Sequence, residues 1–270
     1  MNLAAWNPFA WWRTLSQNPV YLREKGNWGK ANPFYETVRR FSPFVIMGVI
    51  VLGICTGSTN PALFSGNDGL IAFWCFMCLP GILLSALTLF GSFMAPALTA
   101  PTISLELANG TWDILRATPM PTRTILLAKL FGGLARLRLF WWLLFVVSMF
   151  QGLLMTCSTS LAAGKYAIWG WLIGLCTVTR PWLEVLFAAF VGMLISTWTR
   201  SGTMALVGSY TAVVFFKIFN SAVLWLAVSA LLGANEIMLL TSTLGPTLVY
   251  GIATLGVMVG LVIRANGLES

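Results

Sequence analysis

Residues 139–155 read Leu-Phe-Trp-Trp-Leu-Leu-Phe-Val-Val-Ser-Met-Phe-Gln-Gly-Leu-Leu-Met, with no charged side chain. Ser148 and Gln151 are the main polar interruptions. The stretch lacks the polar face that a water-soluble helix presents to solvent. A bilayer-spanning helix needs about 20 mostly apolar residues, and this stretch supplies the core of one.

The rest of the chain has the same character. Of 270 residues, 58% are hydrophobic and 9% are charged. Soluble domains carry about 25% charged residues. The composition therefore predicts an all-α, polytopic integral membrane protein, because helices satisfy their own backbone hydrogen bonds in lipid.

Further apolar stretches predict five other spans. They run over 41–62 (core 43–55), 69–95, 181–198, 202–232 and 244–263. Pro80-Gly81 is expected to kink the second span. Pro181 suits the first turn of the fourth. The segment 166–179 is short for a span, carries Trp169 and Trp171, and ends at Arg180. It reads as an outer re-entrant or interfacial helix. The first 20 residues, with Trp6, Phe9, Trp11, Trp12 and then Arg13, lack a signal-peptide pattern and read as an N-terminal amphipathic interfacial helix.

Charge placement fits six spans. Arg13, Arg23, Lys25, Lys30, Arg39, Arg40, Arg116, Arg123, Lys129, Arg136, Arg138, Arg200 and Arg264 all fall on one side. Only Lys165 and Arg180 fall opposite, and Lys217 lies within a span. Basic residues stay cytoplasmic, so both termini are expected there. The chain divides into a cytoplasmic segment 1–40, one transmembrane domain 41–264 and a tail 265–270.

Composition also limits the chemistry. Histidine is absent and only eight residues are acidic, so a metal or hydrolytic site is hard to assemble. Five cysteines exclude a complete internal disulfide set. Cys75 and Cys78 read as small residues on an apolar helix. The net charge of +8 is accounted for by membrane orientation and does not imply nucleic acid. The Gly-Lys pairs at 29–30 and 164–165 are followed by Ala31 and Tyr166. Neither has the upstream glycine of a phosphate-cradling G-x-x-x-x-G-K-[ST] loop.

The connection after the second span reads Ala-Pro-Ala-Leu-Thr-Ala-Pro-Thr-Ile-Ser-Leu-Glu-Leu-Ala-Asn-Gly-Thr-Trp-Asp-Ile-Leu-Arg-Ala-Thr-Pro-Met-Pro, residues 95–121. Asn109-Gly110 can end one helix. Thr111 is placed to cap the next, and Asp113 suits its first turn. Trp112, Ile114 and Leu115 give it apolar surface. Pro119 and Pro121 stop it, and Thr122 can cap the helix leading to the third span. An ordinary amphipathic loop helix over about 111–118 satisfies these signals; so does a docking knob for a partner's groove.

Glu106, Gly110-Thr111, Asp113, Leu115, Thr118-Pro119 and the later Lys129 resemble the segment after the second span of ABC-2 type permeases, the membrane subunits of one class of ATP-binding-cassette transporters. Asn18-Pro19 and Arg23-Glu24 resemble the start of such permeases. Leu107 departs from the arginine usual after the glutamate, Ala128 departs from the glycine before the lysine, and 166–179 is longer than the family pattern. The resemblance implies a coupling helix formed by Gly110, Thr111, Trp112, Asp113, Leu115, Arg116 and Thr118, braced by Glu106. A smaller second contact would include Trp198 and Arg200. It further implies a permease subunit, in the direction of export, in the bacterial cytoplasmic (inner) membrane. Its partners would be two ABC ATPase subunits and a second permease chain, identical or homologous. This chain would bind no cofactor; ATP and Mg would sit on the ATPase.

Lys217 in the fifth span is costly in lipid and is a functional candidate by default. Glu184 stands four residues from Arg180, a helical pairing distance. Lys217 either snorkels, lines a subunit interface, or faces a pathway where it meets an anionic group. Other functions stay open from sequence. They are a mechanotransmitting or assembly complex of the same architecture, a structural subunit of another membrane complex, and a membrane enzyme.

Overall fold

A computed structural model describes residues 13–26, 40, 68–163, 167–221, 224, 225, 227, 230 and 238–267. Among these residues there are helices and no strands. The helices are α1 (Pro19–Glu24), α2 (Asp68–Ala108), α3 (Trp112–Arg116), α4 (Thr122–Leu134), α5 (Arg138–Ala163), α6 (Ala167–Ser196), α7 (Gly202–Phe219) and α8 (Met238–Asn266). A 3-10 turn over Ala135–Leu137 joins α4 to α5.

Five helical stretches are long and apolar enough to cross a membrane: Pro80–Ala108, Thr122–Ser160, Ile168–Ser196, Gly202–Phe219 and Thr241–Asn266. The expected first span, 41–62, and the aromatic residues 6–12 lie outside the described residues.

Three boundaries differ from the sequence expectation. Residues 167–179 are no separate re-entrant or interfacial helix. They are the first half of α6, and Pro181 lies inside that helix and not in its first turn. The partner helix explains this. Gly174 and Gly152 let α6 and α5 touch backbone to backbone: a Cβ on Gly174 would meet Thr156 Oγ1 and, at 2.9 Å, Gly152 O. Gly170 sits against Ser160 in the same way. Small residues drive such close approach in membranes. The hairpin thus extends α6 to 30 residues, about 45 Å at 1.5 Å per residue.

The helix expected over 202–232 is interrupted at 220–221. α7 ends at Phe219, and Asn220 explains the stop. Its amide donates to Pro246 O at 2.9 Å and accepts from the Trp225 indole at 2.8 Å. These bonds hold the turn at 220–221 against α8 and interrupt the helix there; residues 224, 225, 227 and 230 are helical again, and the other residues of 222–232 lie outside the described residues. Lys217 therefore lies in the last turn of α7, not at the middle of a span.

The second span runs on through Pro96 and Pro101 to Ala108, so most of the expected loop after 95 is helix. Prolines persist in membrane helices where neighbours re-satisfy and enclose the backbone. Here Gly192 of α6 packs on Pro96 and Thr99, and Thr99 Oγ1 lies 3.0 Å from Ala189 O.

α6 is the central helix, packed along α2, α5, α7 and α8. Phe187, Phe216 and Tyr250 join α6, α7 and α8 through ring contacts. Pairs such as Gly91 with Phe140 and Thr99 with Ala189 set α2 and α6 parallel and α5 antiparallel. The turns at 109–121 and 197–201 and the end of α8 consequently share one end of the bundle, here the basic end. Cysteines introduced at positions 165 and 266 are expected to label from opposite sides of intact membrane vesicles. Labelling of both from one side would overturn this topology.

Candidate functional site

At the basic end, α2 carries Glu106 one turn before its break. Gly110 then adopts φ +67°, the left-handed region that glycine enters without a steric penalty. The reversal lets Thr111 N–H donate to Glu106 O at 3.0 Å, and α3 follows. Thr111 holds the N-cap position, but its side chain makes no cap bond. Its hydroxyl lies 3.4 Å from Glu106 O. Asp113 stands in the first turn as expected. Thr118 Oγ1 closes the end by donating to Leu115 O at 2.6 Å. Pro121, not Thr122, holds the N-cap position of α4.

The two faces of α3 differ. Trp112 is 2% exposed and belongs to the main core with Ile103 and Leu130. Ile114 points out at 69% exposure, and Asp113 is exposed beside it. Trp112 therefore roots the short helix, and Ile114 forms its outward knob.

Beneath α3 lies a buried ion network. Lys129 of α4, with a side chain 0% exposed, reaches Glu106 Oε1 at 2.7 Å and Glu24 Oε1 at 3.2 Å. Arg23 reaches the same Glu106 oxygen at 3.2 Å. Arg136 Nε donates to Glu24 O at 2.6 Å. Lys129 also lies 3.4 Å from Thr102 O. α1 is held close enough for this because Gly132 faces Tyr21 and Glu24, where a Cβ would clash. Leu15, Val20, Tyr21 and Ala128 pack into a small core beside it. The network ties the N-terminal segment, the root of α3 and the start of the third span into one unit. In the sequence, Glu106, Lys129 and Arg23-Glu24 stand as separate features that nothing local joins. The available signal was a lysine in the apolar run 125–134, which demands a buried partner.

A second polar cluster lies toward the other end of the bundle. Glu184 accepts from Arg180 Nε at 2.9 Å and from Lys217 Nζ, bridging α6 to α7. The i,i+4 pair expected from sequence is thus joined by Lys217. A cavity of about 370 Å³ opens onto these three charges. Ser85, Thr88, Gln151 and Thr243 add polar wall. Gln151 Oε1 is buried with no hydrogen-bond partner among the described residues. Sequence reading missed Gln151 as a site residue, although a glutamine within 139–155 was the signal.

Trp198 and Arg200 are exposed on the turn between α6 and α7, at the same end as α3. The side chain of Arg116 lies outside the described residues. Among the described residues no cluster of His, Cys, Asp or Glu could hold a metal ion.

Helices long and apolar enough to cross a membrane, with a short helix clamped at one end and a charged cavity toward the other, define an integral membrane protein. The chain belongs to the ABC-2 family: the family model described as ABC-2 family transporter protein matches residues 25–264. That makes it a permease-type membrane subunit of an ABC transporter, and not the ATPase. No curated protein and no solved structure matches the chain.

Proposed function

We propose that this chain is the pathway-forming subunit of an ABC exporter, working as a pair of permease chains driven by two separate ATPase subunits. The observation that carries the reading is α3, a short helix with Ile114 outward and Trp112 inward, rooted on the Glu106–Lys129 network. Such a knob suits a groove on a soluble partner. Ile114, Asp113, Leu115 and Thr118 would form the contact, with Arg116 beside them and Trp198 and Arg200 as a second, smaller one. Trp112 acts from within as the root. ATP and Mg bind the ATPase, whose closure moves the α2–α4 unit as a rigid body. The basic end faces the cytoplasm by the positive-inside rule, and the membrane is the bacterial inner membrane.

Affinity capture of the tagged chain from its native membrane, with mass spectrometry of what co-purifies, tests this. The expected partner carries a G-x-x-x-x-G-K-[ST] loop. A stable, active complex without one would refute the reading and favour a structural subunit.

The Glu184 cluster is proposed as part of the pathway. Its two cations and one carboxylate leave a net positive charge beside the cavity, suited to an anionic group. Lys217→Met is expected to assemble normally and to lower substrate-stimulated ATPase activity of the complex. Unchanged assembly together with unchanged stimulation would remove Lys217 from the pathway.

A further inference from the structure

A groove of about 500 Å³ lies at the basic end, between α1 and the start of α5. Its floor and walls are Trp141, Trp142, Phe145 and Trp182. Trp141 and Trp182 stack at 5.2 Å between centroids, and Phe145 meets Trp182 edge-on at 6.5 Å. The Trp141 indole N–H donates internally to Leu134 O at 2.9 Å, and that of Trp182 lies 3.5 Å from Ser148 Oγ. The ring faces left to the groove are therefore apolar. Trp142 and Phe145 are exposed along it.

The rim has the opposite chemistry. Lys25 and Arg138 line it, both exposed. Neither has a carboxylate partner among the described residues. The nearby acids are occupied, Glu24 by Lys129 and Glu106 by Lys129 and Arg23. Lys25 leans over the Tyr21 ring, 5.8 Å from its centroid, which keeps its ammonium at the groove. From Arg138 to Phe145 the groove descends about 10 Å along α5, at 1.5 Å per residue.

We propose that this groove is a binding site for one anionic phospholipid of the leaflet at the basic end. Its phosphate sits between Lys25 and Arg138, and an acyl chain lies against Trp142 and Phe145. The charge pattern selects the lipid. Two uncompensated cations attract an anionic headgroup, whereas a zwitterionic one brings its own cation to the same rim. An aromatic wall below the rim suits the boundary between headgroup and hydrocarbon. The bound lipid would tie α1 to α5 from the lipid side, as the Lys129 network ties α1 to α4 from within. This inference rests on the membrane fold and is independent of ATPase docking.

Native mass spectrometry of the detergent-solubilised full chain, titrated with phosphatidylglycerol, phosphatidylcholine or inorganic phosphate, tests it. Phosphatidylglycerol should bind in preference to phosphatidylcholine. The double variant Lys25→Gln/Arg138→Gln should weaken it roughly 30-fold, taking about one kcal/mol per basic residue near a surface. Arg123→Gln, at an exposed position of the same end, should not. Trp142→Ala/Phe145→Ala should weaken the lipid and leave inorganic phosphate unaffected, which separates a lipid site from a bare phosphate site. Equal binding of both lipids, or full binding by the double charge variant, would overturn the proposal. So would disulfide trapping of Trp142→Cys by a cysteine placed in 43–55, since the chain itself would then fill the groove.

Discussion

Lys129→Met is expected to be among the most destabilising single substitutions at the basic end. It removes the fully buried cation and leaves Glu106 and Glu24 facing one another with only the half-exposed Arg23 between them. Stranding a buried charge typically costs about 3–5 kcal/mol. Pairing the substitution with Glu106→Leu should recover part of that loss, because Glu106 is then no longer stranded while Glu24, 14% exposed, still loses its cation. Glu106→Leu alone should cost less than Lys129→Met, since Glu24 still neutralises the lysine. Unfolding of the purified chain in nanodiscs, measured for the two singles and the double, checks all three. Additive effects would mean that Glu106 and Lys129 do not act as a pair.

Ile114→Asp is expected to separate assembly from stability. The side chain is exposed, so the variant should fold, insert and unfold like the parent. If α3 seats in a groove of the ATPase, a charge at its apolar tip should behave as a hot-spot change. That is about 2 kcal/mol or more, a loss of roughly 30-fold in affinity. Trp112→Ala should do the opposite. It removes a core side chain and should destabilise the chain by about 3–5 kcal/mol. Comparing the two variants for ATPase capture and for unfolding distinguishes a contact residue from a root residue.

Much of the fold was legible because the dominant signal, long uncharged apolar runs, needs no tertiary information. The break at Asn109-Gly110 and the short helix after it were legible for the same local reasons. The misread boundaries were all set by neighbours. A stretch of 14 residues before Arg180 looked too short to span, and only the glycine-lined contact with α5 makes it half of a longer helix. The end of α7 depends on Asn220 reaching a carbonyl 26 residues away. Thr111 has the chemistry of a cap, yet its hydroxyl turns back to Glu106 O because Gly110 reverses the chain there. At the candidate site, the residues of the ion network were each visible as unusual charges. Their meeting was not, because it brings together positions 24, 106 and 129 from three helices.

The central claim is that α3 is where a soluble motor grips this membrane subunit. A photocrosslinking amino acid at position 114, activated in native membranes, tests it most directly. One dominant crosslink is expected, to a chain bearing a Walker-type phosphate loop, and it should disappear when the probe is moved to the buried position 112. Crosslinks to lipid alone, or to another helical membrane chain, would contradict it.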